Sequence, residues 1–79
     1  MEDWKERLKI EYLQTKERYE KLKAYNNKLE VQQMTGKLID NIDVQSKMLL
    51  KRQQTAMGEY LHILELRAAL AEINLLKEE

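Results

Sequence analysis

Apolar and polar positions follow a helical period in two separate parts of the chain. In the first part, apolar and aromatic side chains recur at spacings of three and four, which is typical of one face of a helix. Asp3, with Glu6 three residues later, resembles a capping box. We therefore predict a first helix over about residues 3–26. Its inner stripe consists of Trp4, Leu8, Tyr12, Thr15, Tyr19, Leu22 and Asn26, and the same spacing continues to Leu29.

The segment that follows, over about residues 27–43, is less regular and predicts a connection. The pair Asn26-Asn27 favours departure from the helix, and Thr35-Gly36 is a turn signal. The apolar pair Leu38-Ile39 is expected to form a short helical turn that packs under the connection. The connection is therefore predicted to be irregular or briefly helical.

The second helix is predicted over about residues 44–76, with Asp43 as its cap. Gly58 within it predicts a slight kink or a close backbone contact. Between Tyr60 and Leu76, 12 of the 17 residues are apolar, which is too wide a face for one partner helix to cover. We predict an all-α helical hairpin, as a single domain, that assembles into a homo-oligomeric helical bundle.

Composition narrows the class of protein. With 79 residues and no cysteine, the chain has a small core and no disulfide, so other copies are the expected source of stability. One histidine leaves no plausible zinc site, and we expect no metal or cofactor. The net charge of zero argues against duplex nucleic acid as a partner. There is no apolar run of membrane-spanning length and no signal-peptide pattern, so we expect a cytoplasmic protein.

The second predicted helix carries a row of polar side chains. Residues seven apart lie almost along one line of a helix, and this row consists of Gln53, Tyr60, Arg67 and Asn74. Such residues in an apolar seam often only fix register or oligomeric state. Arg67 is also able to pair with a neighbouring glutamate or extend to water along its aliphatic stem.

A functional interpretation follows if several copies of this helix meet on a symmetry axis. Three Arg67 guanidiniums would then repel one another, and an anion of matching symmetry would relieve the repulsion. The planar guanidinium suits phosphate oxygens. Tyr60 offers a ring for base stacking, and Gln53 or Asn74 offers an amide to a base edge.

The first predicted helix carries a weaker signal of the same kind. Tyr12 and Tyr19 lie on its inner stripe, with Arg18 and Lys21 on the flank. Aromatic rings beside cations are suited to stacking bases and holding phosphates. The alternative is that both tyrosines are ordinary core or interface residues.

Catalytic residues are not indicated. His62 is the only imidazole, and Glu59 and Glu65 lie one helical turn to either side of it, which is typical of a solvated histidine. There is no glycine-rich phosphate loop and no carboxylate cluster with metal-ligand spacing. We therefore expect a binding protein and not an enzyme.

Two stretches, "ERLKIEYLQTKERYEKL" and "LLKRQQTAMGEYLHILELR", resemble small helical hairpins of tailed bacteriophages. These are related to the phage anti-CBASS sponges, which bind cyclic oligonucleotide second messengers of bacterial defence. The pattern that carries the resemblance is Leu49, Leu50, Gln53, Met57, Tyr60, Leu64 and Arg67.

The resemblance implies a homo-oligomer, a hexamer of kinked hairpins, with two kinds of pocket. One takes cyclic dinucleotides by aromatic stacking, for which Tyr12 is the matching residue. Its basic partner is left open among Arg18, Lys21 and Lys28. The other takes cyclic trinucleotides on a threefold axis through a ring formed by Arg67.

The leading hypothesis is therefore a phage immune-evasion protein that sequesters cyclic di- or trinucleotides without cleaving them. The alternative is a homo-oligomeric interaction or scaffold protein that binds another protein through its apolar C-terminal helix. A hydrolase of signal nucleotides is the least supported hypothesis.

Overall fold

A computed structural model describes residues 3–37 and 42–75, which form an antiparallel hairpin of two helices. Helix α1 spans Asp3–Thr35 and helix α2 spans Val44–Leu70. The described ranges contain no strand. The predicted all-α helical hairpin is confirmed.

Helix α1 continues well past the predicted end at Asn26 and stops only at Thr35. The side chain of Asn26 is buried and does not turn back on its own backbone. Its Nδ2 atom donates to the carbonyl of Leu50 at 3.2 Å and to Oε1 of Gln54 at 2.9 Å. Because these acceptors lie on α2, the asparagine joins the helices instead of ending one.

The turn signal at Thr35-Gly36 does end α1. Gly36 has a φ of +74°, a left-handed conformation that glycine adopts without steric cost. Thr35 is the last helical residue. The short helical turn predicted at Leu38-Ile39 lies outside the described residues.

The predicted cap of the second helix is confirmed. The backbone N–H of Ser46 donates to Oδ2 of Asp43 at 3.1 Å, and the Ser46 hydroxyl donates to Oδ1 at 2.8 Å. The hydroxyl bond, followed by the backbone bond, lowers the pKa of Asp43 below its usual value. An ionised carboxylate at this position also complements the helix dipole.

Helix α2 ends at Leu70, six residues before the predicted end at Leu76. The N–H of Ile73 donates to the carbonyl of Ala68 at 2.8 Å, and the N–H of Glu72 donates to that of Ala69 at 3.1 Å. Glu72 has a φ of +58°, so these bonds form a Schellman motif with a residue other than glycine at its left-handed position. Ile73 packs against the core, which offsets the strain at Glu72.

The core lies between the start of α1 and the end of α2. Its buried members are Leu8, Tyr12, Leu61, Leu64 and Ala68. Farther along the hairpin, the close contact predicted at Gly58 is present. A Cβ atom on Gly58 would lie 3.3 Å from Cε1 of Tyr19, so the glycine allows the ring to pack directly on the α2 backbone.

A second apolar face of α2 is not covered by α1. Ile63 and Leu66 are each 52% exposed and Leu70 is 88% exposed. We call these three residues the outer stripe. A two-helix layer has only one interface, so residues on the far side of α2 cannot be buried within one chain. In the part of the chain that the structure describes, neither helix combines the length and hydropathy needed to cross a membrane.

Candidate ligand-binding site

A groove of about 420 Å³ runs along one side of the hairpin, between the start of α1 and the second half of α2. We call it the arginine groove, because two of its lining residues are arginines. Its lining residues are Trp4, Arg7, Leu8, Glu11, Tyr60, Leu64 and Arg67. The structure therefore brings together Tyr60 and Arg67, two of the residues predicted to bind a ligand.

A hydrogen bond across the helices fixes the middle of the arginine groove. The Tyr60 hydroxyl donates to Oε2 of Glu11 at 3.0 Å, and the Thr15 hydroxyl donates to the same oxygen at 3.2 Å. The bond to Glu11 is the main cause of a raised pKa at Tyr60. Desolvation and the charge of Glu11 raise it further, while the charge of Arg67 opposes the rise. Tyr60 is therefore a neutral donor at physiological pH.

The α1 side of the groove was not predicted from the sequence, and it contains three residues with polar or aromatic side chains besides Leu8. Trp4, Arg7 and Glu11 are spaced by three and four, so they share one side of the helix. The helical period places Trp4 on the inner stripe, but the residue is 47% exposed in the structure. This spacing was visible in the sequence. What could not be read there was that the same side faces Arg67.

Trp4 and Arg67 are neighbours in a second concavity as well. The two residues line it together with Lys5, Leu70 and Ala71. The Nζ atom of Lys5 lies 5.7 Å from the centroid of the Trp4 ring, within the range of a cation–π contact. The exposed indole thus has one cation over its ring and shares both concavities with Arg67.

The other two members of the predicted polar row do not reach the arginine groove. Gln53 is exposed on α2 and is not among the lining residues. Asn74 lies beyond the last helical residue, Leu70, and lines a groove that also contains Tyr12. The row predicted from the spacing of seven is therefore interrupted, because α2 ends before Asn74.

Tyr12 is a core residue of the hairpin and is only 3% exposed. Its hydroxyl donates to Oε2 of Glu65 at 2.9 Å. Burial, followed by this bond and the charge of Glu65, raises the pKa of Tyr12. A base can stack on the ring only if the ring becomes uncovered, so its assignment to a stacking site stays a prediction.

The groove beside Tyr12 has the opposite charge from the arginine groove. It has a volume of about 530 Å³ and contains Glu65 and Glu72. Two carboxylates disfavour a phosphodiester, since like charges at short range repel. Of the two grooves, the arginine groove is the better candidate for an anionic ligand.

None of the three predicted basic partners of Tyr12 forms a cation–π contact with its ring among the residues that the structure describes. The cation over the ring is Lys16, whose Nζ atom lies 5.9 Å from the centroid. Arg18, Lys21 and Lys28 are exposed along α1, and Lys21 forms an ion pair with Glu17 at 3.4 Å. Their roles in ligand binding stay predictions.

Comparison with known proteins identifies a family. No curated protein and no solved structure matches the chain significantly. The family model described as Sequestin matches residues 2–70. This match spans α1, the connection and all of α2, and therefore includes every residue of the arginine groove. The chain belongs to the Sequestin family.

Proposed function

We propose that this protein sequesters cyclic oligonucleotide second messengers, cyclic dinucleotides or trinucleotides, without cleaving them. Membership in the Sequestin family indicates a sequestering function. The class of ligand is inferred from the arginine groove and from the resemblance to phage sponge proteins. By lowering the free messenger concentration, the protein would block CBASS-type antiphage signalling in the bacterial cytoplasm.

The observation that supports this ligand class is the combination of side chains in the arginine groove. Arg7 and Arg67 supply two permanent positive charges in one concavity, and guanidiniums bind phosphate oxygens through paired, charge-assisted hydrogen bonds. Trp4 and Tyr60 supply aromatic rings at the same place. Stacking of a base on such a ring contributes about 1–3 kcal/mol.

Assembly of several copies, a hexamer in our proposal, would complete the pocket. The outer stripe lies on α2 next to Arg67. Burying Leu70 would stabilise an assembly by about 1.5–3 kcal/mol, and burying Ile63 or Leu66, which are already half buried, by about half as much each. Packing copies through this stripe would bring several Arg67 side chains close together. A ring of arginines suits a ligand with several phosphates, such as a cyclic trinucleotide.

The proposed mechanism is stoichiometric binding and not turnover. In the described part of the chain, the groove contains no histidine, serine or cysteine. His62 is exposed on α2, with Nδ1 at 3.9 Å from Oε1 of Glu65, and is not a lining residue. A sponge requires only tight binding and abundance, because occupancy by mass action sets the free ligand concentration.

Isothermal titration with a panel of cyclic di- and trinucleotides tests the proposal. Arg67→Ala is expected to weaken binding at least tenfold, because it removes a charge-assisted contact. Arg52→Ala is the matched control, since Arg52 is exposed on the same helix but does not line the groove. Absence of binding by folded wild-type protein to every member of the panel would refute the proposal. Recovery of hydrolysed ligand would refute the sponge mechanism.

A second candidate function is that of a helical interaction or scaffold protein. The outer stripe supports it, since an exposed apolar stripe on a helix is suited to binding a foreign helix. Native mass spectrometry of the Arg67→Ala variant distinguishes the two functions. An intact assembly that has lost its ligand supports the sponge, whereas a dissociated assembly shows that Arg67 has a structural role.

A further inference from the structure

The carboxylate of Glu11 is the one anionic group among the lining residues of the arginine groove. A groove built only to hold phosphates would be weakened by a negative charge, because the carboxylate repels the ligand. Its presence therefore calls for a compensating contact. The natural partner of a carboxylate on a nucleotide is an N–H group on the edge of a base.

Glu11 is held in place by its neighbours. The hydroxyls of Tyr60 and Thr15 both donate to Oε2, at 3.0 Å and 3.2 Å. Among the described residues, Oε1 has no hydrogen-bond partner. The side chain thus combines a fixed position with one oxygen that is available to a donor, which favours selective recognition over general charge balance.

The position of Glu11 relative to Tyr60 indicates what it would contact. Because the phenol oxygen lies 3.0 Å from Oε2, the carboxylate is at the hydroxyl edge of the Tyr60 ring. Tyr60 is 40% exposed, so its ring is accessible for stacking. A base stacked on this ring would present its own edge to Glu11.

We infer that Glu11 is a specificity-determining residue that selects guanine-containing cyclic oligonucleotides. The inference rests on the proposed function and names the base that the groove prefers. Guanine carries two adjacent donors, N1–H and N2–H, which suit a carboxylate. Adenine and cytosine offer only an exocyclic amino group on that edge, and the N3–H of uracil is flanked by two carbonyl oxygens that the carboxylate repels.

The experiment measures the affinity of wild-type protein for cyclic di-GMP, cyclic di-AMP and cyclic di-UMP, and compares it with two variants. Glu11→Gln keeps the size of the side chain and removes its charge. Glu20→Gln makes the same change in charge at an exposed position on α1 that does not line the groove. The measured quantity is the ratio of the affinities for the guanine and adenine ligands.

Wild type and Glu20→Gln are expected to prefer the guanine ligand by about tenfold or more, and Glu11→Gln is expected to lose most of this preference. Tyr60→Phe keeps the ring but removes the hydrogen bond that holds Glu11, so it is expected to reduce the affinity ratio as well. This variant replaces Glu11→Gln in the experiment if Glu11→Gln does not fold. An unchanged ratio in the folded variants, or equal wild-type affinities, would overturn the inference and leave the proposed function standing. If wild-type protein binds none of the three cyclic dinucleotides and no cyclic trinucleotide, both the inference and the proposed function are overturned.

Discussion

The hydroxyl of Tyr12 on α1 donates a 2.9 Å hydrogen bond to Oε2 of Glu65 on α2. A reciprocal bond lies on the other side of the hairpin, where the hydroxyl of Tyr60 on α2 donates to Glu11 on α1 at 3.0 Å. Each helix thus supplies one tyrosine donor and one glutamate acceptor. The two bonds connect the helices beside the core. One lies at the groove that contains Glu65 and Glu72, and the other lies at the arginine groove.

The first prediction concerns the stability contributed by Tyr12. The pKa of Tyr12 is raised in the folded chain, so the folded state keeps the phenol proton where the unfolded state, with a pKa of about 10, has lost it. This contribution is fully present below about pH 10 and is lost as the pH rises through the higher folded pKa. Urea denaturation from pH 8 to 11 should show a decline that Tyr12→Phe makes shallower.

At neutral pH, Tyr12→Phe should itself cost about 1 kcal/mol of unfolding free energy, the net value of a typical hydrogen bond. Tyr25→Phe is the control, because no hydrogen bond of the Tyr25 hydroxyl is present among the described residues. Equal effects of the two variants would contradict the prediction.

The second prediction concerns the buried asparagine between the helices. Asn26→Ala removes two donated hydrogen bonds and leaves the Gln54 side chain and the Leu50 carbonyl without this donor. We expect a loss of about 1–3 kcal/mol in unfolding free energy, measured by urea denaturation. Asn27→Ala, at the exposed neighbouring position, should change it by less than about 0.5 kcal/mol. A similar loss in both variants would show that the interhelical bonds are not its cause, since alanine has a higher helix propensity than asparagine.

The third prediction concerns the contact between Gly58 and Tyr19. Alanine in place of glycine favours a helix by about 1 kcal/mol, but the new Cβ would lie only 3.3 Å from Cε1 of Tyr19. We expect Gly58→Ala to gain less than this amount in wild type and to gain the full amount in a Tyr19→Ala background. A double-mutant cycle of thermal denaturation measures the difference. Additive effects would show that the ring moves aside without cost.

The fourth prediction uses the single tryptophan of the chain. Trp4 lines both concavities that contain Arg67, so binding of a cyclic oligonucleotide should change its fluorescence. The affinity should fall as salt rises, because salt screens the attraction between the guanidiniums and the phosphates of the ligand. Arg7→Ala should weaken binding at least tenfold and reduce the salt dependence, while Arg52→Ala should leave both unchanged. An affinity, measured from this fluorescence change, that does not depend on salt would contradict an electrostatic site.

The fifth prediction concerns the outer stripe. Leu66→Glu places a charge in the middle of the three exposed apolar residues, where burial against another copy would leave it unpaired. We expect the assembly to dissociate into smaller species while the helical circular dichroism is retained, as measured by size-exclusion chromatography with light scattering. Asn27→Glu, an equal change in charge on an exposed part of α1, should leave the assembly intact. An unchanged mass for Leu66→Glu would exclude this stripe as the interface.

Sequence alone was enough to predict two helices, the cap at Asp43, a turn signal at Thr35-Gly36 and a close approach at Gly58. Each depends on local chemistry: the period of apolar residues, a side-chain acceptor for orphan N–H groups, or a residue without a Cβ atom. Packing of the two helices against each other controls the outcome at Asn26 and Ile73. A local turn signal is overridden at Asn26 by acceptors on the other helix, and α2 ends early where Ile73 returns to the core.

The residues of the candidate site likewise fall into those that the sequence indicates and those that only the packing of the helices brings together. Arg67 and Tyr60 were visible as polar residues at a spacing of seven in an apolar helix. Arg67 and Tyr60 face three residues of α1 across the groove, namely Trp4, Arg7 and Glu11. This arrangement depends on how far α2 is rotated and shifted against α1. Packing of the core sets this rotation, so Tyr12 and Arg67 lie on opposite sides of the hairpin. No spacing within either helix encodes the register between the two.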